Sequence, residues 1–146
     1  MTTFPRIDFY VLQKQSPNGQ LQLACRIVEK AYQARHQIYL RTRNLDDASL
    51  LDDLLWTFSQ SSFVPHQLND DRGSVASPVV IGVELPMENN IDILISLSEE
   101  PIVDFTSYPR IAEIVGFEEK EKESGRARFR YYKNHGIRLN THHIKL

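Results

Sequence analysis

The C-terminal part of the chain carries cationic side chains at regular spacing. Arg126, Arg130 and Lys133 are spaced i, i+4, i+7, so a helix would place them in one stripe. Lys122 would extend that stripe by one turn, and Phe129 would lie within it. Arginine binds carboxylates and phosphates through paired hydrogen bonds, and a ring adds an apolar contact. The pattern predicts a site for an acidic peptide that ends in an apolar group, or for single-stranded nucleic acid; a solvated charged face is the third interpretation.

The charge of the chain is unevenly distributed. Residues 1–119 hold 9 Lys and Arg against 17 Asp and Glu, a balance of −8, whereas residues 120–146 hold 8 against 2, a balance of +6. The net charge of −2 conceals this segregation. We therefore expect an anionic partner to be attracted to the C-terminal end and repelled by much of the rest, which disfavours the wrapping of a long polyanion.

The sequence contains few residue patterns that are typical of a catalytic or metal-binding site. The one cysteine, Cys25, excludes an internal disulfide and a cysteine-based metal site, and it falls on the apolar face of a predicted helix as an inert core thiol. Among the five histidines, only His142 and His143 are close in sequence, and we expect both to be tail residues rather than ligands. No serine lies in a G-x-S-x-G context. The sequence thus predicts no catalytic residue, no cofactor and no metal.

A nucleotide site is disfavoured by the first strand–helix turn. Residues 13–20 contain a single glycine, Gly19, and a proline, and neither G-x-G-x-x-G nor G-x-x-x-x-G-K-[ST] occurs in the chain. Glycines are needed there because they let a pyrophosphate approach the helix N-terminus. We interpret Lys14 as a solvated turn residue.

An aromatic stretch in the middle of the chain is the second feature of interest. Residues 51–66 hold the only tryptophan, Trp56, together with Phe58 and Phe63. Leucines at helical spacing precede Trp56, and Pro65 then favours extended backbone at the preceding residue. We expect Leu51, Leu55 and Phe58 to face the core. For Phe63 and Pro65, core burial and contact with a partner are left equally open.

Alternating strand and helix patterns set the fold class. Strands are predicted at 6–12, 37–41, 78–83, 91–97 and 110–117, and an extended segment at 63–68. Helices are predicted at 21–35, 45–58 and 118–136. Residues 69–77 are predicted to form a polar loop and residues 138–146 a tail, and residues 102–107 are ambiguous. Asn44 is the predicted N-cap of the second helix. The order predicts one α/β domain over residues 1–146, with a mostly parallel central sheet, helices on both faces and a Rossmann-like topology without a nucleotide site. The runs at 78–83 and 91–97 are nearly continuously apolar, which is typical of interior strands.

Several blocks together resemble a known family. Leu55-Trp56 and Ser-Phe-Val-Pro-His at 62–66 are followed by Pro-Val-Val-Ile-Gly, Asp-Ile-Leu-Ile-Ser-Leu and Glu-Ile-Val. The block Arg-x-Arg-Phe-x-x-Tyr-x-x-x-Gly-x-x-Leu-Asn-Thr then covers residues 126–141. The chain in this respect resembles the chi subunit of bacterial DNA polymerase III holoenzyme over essentially its whole length. The aromatic block and the last helix are the most specific parts.

The resemblance implies a non-catalytic adaptor. Members of the family form a heterodimer with the psi subunit, which ties them to the clamp loader, and bind the acidic C-terminal tail of single-stranded DNA-binding protein (SSB). It implies that the protein contacts DNA mainly indirectly and that it binds neither a cofactor nor a membrane. It also implies that the protein acts in the cytoplasm at replication forks. The positions matching the psi contact are Trp56, Phe63, Val64, Pro65 and His66. The positions matching the tail contact are Val115, Lys122, Arg126, Phe129 and Thr141.

The chain departs from the family pattern at Phe129, where a tyrosine is expected, so that the ring is kept and the hydroxyl is lost. The segment between Val115 and Arg126 is also gapped relative to the pattern. A direct single-stranded nucleic-acid-binding module that uses the basic C-terminal helix is the alternative function.

Overall fold

The computed structural model describes residues 4–57, 64–69, 77–86 and 90–146 as a seven-stranded sheet with helices on both faces. The strands are β1 (Arg6–Leu12), β2 (Ile38–Arg41), β3 (His66–Leu68), β4 (Val79–Gly82), β5 (Ile93–Ser96), β6 (Arg110–Val115) and β7 (Leu139–Ile144). The helices are α1 (Gly19–Gln33), α2 (Leu45–Thr57) and α3 (Glu119–Asn134), with a short 3₁₀ helix at Phe105–Ser107.

The sheet has the order β3-β4-β2-β5-β6-β1-β7, and every pair is parallel. The predicted α/β class with helices on both faces is confirmed. Strands β4 and β5 lie inside the sheet, and all of their residues are buried. Burial explains why both sequences are nearly continuously apolar, because an interior parallel strand has no face in contact with water.

Helices α1 and α2 cover one face of the sheet and share one hydrophobic core with it. Asn44 caps α2, since its side-chain Oδ1 accepts a hydrogen bond of 2.8 Å from the backbone N–H of Asp47. Leu51 and Leu55 are buried as expected, whereas Phe58 lies outside the described residues. Cys25 is fully buried in this core, and burial raises the pKa of its thiol to about 12, so it is the inert thiol that the sequence predicted.

Helix α3 covers the opposite face, where it packs against β6 and β7. A capping box begins it: the Glu121 side chain accepts a hydrogen bond from the backbone N–H of Glu118 at 3.1 Å, while the Glu118 side chain bonds the Glu121 backbone. No helix within the described ranges is long and apolar enough to cross a membrane.

The predicted tail is wrong for most of its length. Residues Leu139–Ile144 form strand β7, which pairs in parallel with β1 from Ile7↔Leu139 to Leu12↔Ile144. His142 is therefore a strand residue, and its Nε2 lies 3.0 Å from Oδ1 of the buried Asp8. The segment is too polar to show the apolar pattern of a buried strand because, as an edge strand, it is half open to water.

Candidate functional site

A cavity of about 350 Å³ lies between α3 and the strands β1, β6 and β7. Its lining residues are Phe9, Val11, Val115, Lys122, Gly125, Arg126, Phe129, Arg130 and Thr141. All five positions that the resemblance implied for the tail contact are among them. We call this cavity the α3 pocket. Lys133, the last member of the predicted stripe, does not line it.

Strand register places the floor of the α3 pocket. Phe9 pairs with Thr141 on β7, and Val11 pairs with Val115 on β6, so side chains from three strands lie side by side on one face. Residues two apart on a strand point to the same face, which is why Phe9 and Val11 both reach the pocket. The sequence did not single out these two residues, because nothing in β1 alone reveals which neighbours flank it.

Gly125 lets α3 approach the strands closely. A Cβ atom at this position would lie 2.8 Å from Cγ1 of Val115, closer than real contacts allow. Glycine weakens a helix by about 1 kcal/mol relative to alanine, so its place inside α3 has a packing reason. The close approach brings Arg126 and Phe129, one and four residues further along the helix, onto the strand surface.

The rim of the α3 pocket is cationic. The Arg126 side chain is 55% exposed, and its Nη1 lies 3.0 Å from Oε1 of Glu119, whose own side chain is 72% exposed. An ion pair this exposed contributes little to stability, so an incoming carboxylate can replace Glu119 at low cost. Lys122 places its Nζ 4.6 Å from the centre of the Phe117 ring, and Arg130 is exposed on the same rim.

The ring of Phe129 belongs to the wall of the pocket. It is half-buried and meets the ring of Phe9 edge to face, with 5.3 Å between ring centroids. With Val11 and Val115 these rings form an apolar recess below the cationic rim. The arrangement suits a ligand that carries an apolar group beside an anionic group.

A buried ion pair on the inner side of α3 was missed by the sequence analysis. Arg128 is 3% exposed, and its Nη1 donates hydrogen bonds to Oε1 of Glu113 at 2.9 Å and to the Ser98 carbonyl at 2.6 Å. The Tyr132 hydroxyl donates to Oε2 of Glu113 at 2.5 Å and accepts from the backbone N–H of Ile102. Burial raises the pKa of Glu113, against the opposing effects of Arg128 and Tyr132. Because both partners present donors to its oxygens, the network fits the ionised carboxylate.

The positions implied for the psi contact are dispersed between surface and core. Trp56 is 58% exposed at the end of α2, and its ring meets the His66 ring edge to face at 5.1 Å. Val64 is 5% exposed in the core, so its side chain is not a surface group, and Pro65 is half-buried. The His66 side chain is fully buried, with Nε2 3.3 Å from Oδ1 of Asp52. Phe63 lies outside the described residues.

An exposed apolar side chain beside these positions was also missed. Leu68 is 44% exposed on β3, two residues after His66 and thus on the same face of that strand. We call Trp56, Pro65 and Leu68 the α2–β3 patch. Strand alternation would have identified Leu68 if the segment's pairing had been known.

The crevice at the carboxyl ends of β1, β5 and β6 is the place where a Rossmann-like sheet would bind a nucleotide. Here Asp47, Glu118 and Glu121 line it together with Lys14 and Arg43, and Arg43 is paired with Asp47 at 3.0 Å. The three carboxylates outnumber the two cations, and this balance disfavours a phosphate group. Within the described ranges, no three His, Cys, Asp or Glu side chains are placed to hold a metal ion.

Comparison with known proteins gives consistent results. Residues 4–140 match the family model described as DNA polymerase III chi subunit, HolC. The chain is 35% identical to the DNA polymerase III subunit chi of Pseudomonas aeruginosa, covering 95% of this chain and 96% of that protein. It is 30% identical to the subunit chi of Escherichia coli, covering 91% and 94% respectively.

Among solved structures, the crystal structure of T4 UvsW aligns with a TM-score of 0.68 at 7% identity. The alignment covers 96% of this chain and 41% of that protein, so at this identity it supports the α/β fold alone.

Proposed function

Since the chain belongs to the chi subunit family of DNA polymerase III, a replication assembly, we propose that it is a non-catalytic adaptor within that assembly. In this proposal the α3 pocket binds the acidic C-terminal tail of SSB, and the α2–β3 patch docks the psi subunit and through it the clamp loader. The protein then joins two other proteins and contributes no active site. It would act in the cytoplasm at replication forks.

The composition of the α3 pocket carries the proposal. The apolar side chains of Phe9, Val115 and Phe129 line the same cavity as the guanidinium-bearing side chain of Arg126. A peptide that ends in an apolar residue has its terminal carboxylate and its last side chain on the same residue, so it needs these two features together. Arginine supplies the bidentate donor, which lysine lacks.

The α2–β3 patch supports the second docking surface less directly. Trp56 and Leu68 are large apolar side chains exposed on neighbouring elements, since α2 packs against β3. Exposed tryptophan is enriched among the residues that dominate protein–protein binding energies. Val64 and His66 would act beneath the surface, by holding the aromatic ring in position.

Calorimetric titration with the acidic C-terminal peptide of a bacterial SSB tests the tail site. Arg126→Ala should weaken binding by about 1.5–3 kcal/mol, which is roughly tenfold to a hundredfold, because a charged hydrogen-bond pair is lost. Lys133→Ala, on the same helix but off the pocket, is the matched control and should bind as the wild type does. Equal affinities for all three proteins would refute the tail site.

Titration with purified psi subunit tests the second surface. Trp56→Ala and Phe63→Ala should each weaken the complex by about 2 kcal/mol or more without unfolding the domain. Leu45→Ala is the control, because Leu45 is 79% exposed on the same helix at its opposite end. Added salt should affect this complex less than the tail peptide, since its contacts are apolar. If both variants bind psi as tightly as the wild type does, the α2–β3 patch is not the psi-binding surface.

Direct binding of single-stranded nucleic acid remains the alternative. Phe129 argues against it, because the ring packs edge to face on Phe9 within the pocket wall and does not offer an open stacking platform. An electrophoretic shift with bare oligonucleotide at moderate salt decides between the two functions. If the protein shifts the oligonucleotide and Arg126→Ala abolishes that electrophoretic shift, direct nucleic-acid binding is favoured over the adaptor function.

A further inference from the structure

A groove of about 580 Å³ lies between α1 and the strands β5, β6, β1 and β7, on the face opposite the α3 pocket. Of the three described helices, α1 packs against β6 and β2, α2 packs against β3 and β4, and α3 lies on the other face. The groove runs between α1 and the strands that these helices leave partly uncovered. Parallel sheets normally have both faces covered by helices, so among residues 4–57, 64–69, 77–86 and 90–146 this is where the helical layer is incomplete.

The floor of the groove is apolar. Helix α1 contributes Leu23, Ile27 and Ala31, and the strands contribute Ile93, Ala112 and Ile144. Ile27 and Ile144 are half-buried, which leaves aliphatic surface accessible along both sides. A volume of this size falls within the range of sites that take a ligand or a few side chains. An exposed aliphatic strip with a polar rim is typical of a surface that receives an apolar face.

The rim of the groove is cationic on both walls. Arg26 and Lys30 are exposed one turn apart on α1, and Arg110 faces them from β6. Among the lining residues that the structure describes, Glu29 is the single carboxylate. His36 also lines the groove, and its Nδ1 lies 3.8 Å from Oδ2 of Asp92. Residues 1–119 carry a balance of −8, yet three of their nine Lys and Arg residues gather here.

Arg110 is held in place from below. Its Nε lies 3.5 Å from Oδ2 of the fully buried Asp8, and its Nη2 lies 3.5 Å from the Tyr10 hydroxyl. The side chain remains 35% exposed. Asp8 is also contacted by Arg6 at 3.1 Å and His142 at 3.0 Å, so one buried carboxylate positions several cationic groups at this end of the sheet.

We propose that this groove docks an acidic amphipathic helix of a partner protein. Apolar residues at i, i+3, i+4 and i+7 of that helix would lie on the aliphatic floor, and flanking Asp and Glu side chains would face Arg26, Lys30 and Arg110. The docked helix would complete the covering of β1 and β7. This third surface is independent of the α3 pocket and of the α2–β3 patch, and its failure would leave the adaptor proposal intact.

A polynucleotide is a poorer occupant. The lining residue Tyr10 is already stacked on His142, with 4.8 Å between ring centroids and an angle of 16°. Base stacking would therefore have to displace an existing contact. The acidic surroundings in residues 1–119 also repel an extended polyanion.

Amide chemical shifts of the isotopically labelled full chain test the proposal. The probe is a synthetic helical peptide of about 18 residues, with leucine at i, i+3, i+4 and i+7 and glutamate on the flanks. It should shift the amides of Ile27, Lys30 and Ile144, while the same peptide with lysine in place of glutamate should not. Shifts confined to α3, no shifts, or equal shifts with both peptides would each overturn the proposal.

Charge reversal sharpens the test. Arg26→Glu with Lys30→Glu should weaken binding of the acidic probe at the groove by about tenfold, because two rim charges change sign. Lys120→Glu with Lys133→Glu makes the same change in net charge on exposed sites of α3 and should leave groove binding unaltered. Equal losses in both double variants would show a net-charge effect and refute the groove. If an oligonucleotide shifts the groove amides, nucleic acid is the occupant in place of the proposed helix. If the groove amides shift with protein concentration alone, a second copy of this chain is the occupant.

Discussion

Two of the three arginines of helix α3, Arg126 and Arg128, lie two residues apart and have opposite environments. Arg128 is 3% exposed and paired with the buried carboxylate of Glu113, whereas Arg126 is 55% exposed and paired with Glu119 at the surface. On a helix, two residues apart means nearly opposite faces. One arginine therefore anchors the helix to the sheet, and the other is available at the rim of the α3 pocket.

The comparison shows what a count of charges leaves out. Arg128 is one of the eight basic residues in the C-terminal segment, but its charge is neutralised by Glu113 from outside that segment. The local field that a partner meets is thus weaker than the balance of +6 indicates. Binding function depends on the cations that a ligand can reach, which at the α3 pocket are the half-buried Lys122 and the exposed Arg126 and Arg130.

The largest effect is expected at the buried arginine. Arg128→Ala leaves the Glu113 carboxylate buried without its cation, which should lower the free energy of unfolding by about 3–5 kcal/mol. Urea denaturation followed by circular dichroism measures it. Replacing both partners, with Arg128→Met and Glu113→Leu, should recover most of that loss because no unpaired charge remains. If Arg128→Ala lowers the free energy of unfolding by less than about 1 kcal/mol, the Arg128–Glu113 pair does not hold α3 on the sheet.

A second buried carboxylate should show a pH-dependent effect. Burial acts to raise the pKa of Asp8, but the hydrogen bond from His142 and the charges of Arg6 and Arg110 outweigh it, so the pKa lies below its ordinary value of 3.8. A pKa lowered by folding contributes stability above pH 3.8, which is lost as pH falls through the folded-state pKa.

Asp8→Asn should therefore cost about 2 kcal/mol at pH 7 and progressively less in acid, where wild-type Asp8 is itself protonated. Denaturation midpoints at several pH values measure this. Asp53→Asn, at an exposed position on α2, should change little at any pH. A loss for Asp8→Asn that stays constant with pH would contradict the role given to its charge.

The close contact between α3 and β6 predicts a smaller effect. In Gly125→Ala, the added methyl group meets Val115, and the strain should exceed the gain in helix propensity by about 1 kcal/mol. The tail peptide should also bind less tightly, because α3 is displaced from the pocket floor. Ala127→Gly is the control: it should cost a similar amount of stability while peptide affinity is kept. Equal peptide affinities in the two variants would place Gly125 outside the site.

The smallest stability effect is expected at the exposed arginine. Arg126→Ala should change the free energy of unfolding by less than about 0.5 kcal/mol, because its partner Glu119 is exposed as well. The same denaturation experiment as for Arg128→Ala measures it. A loss comparable to that of Arg128→Ala would remove the distinction between the two faces of α3.

The sequence by itself determined the element pattern and the fold class. Apolar periodicity predicted α1 and α2, and apolar runs predicted the interior strands β4 and β5, because burial of one helix face or of a whole strand leaves a local signal. Helical spacing also grouped Lys122, Arg126, Phe129 and Arg130. The resemblance added Val115 and Thr141, which the structure places in the same pocket.

Only the tertiary structure decided which residues meet across elements. Strand β7 became a strand by pairing with β1, although its polar sequence predicted a tail. The contribution of Phe9 and Val11 to the α3 pocket, the burial of Val64 and the pairing of Arg128 with Glu113 depend on strand order and register. Those properties arise from contacts between residues far apart in the chain, and such contacts leave no periodic trace in either partner's own sequence.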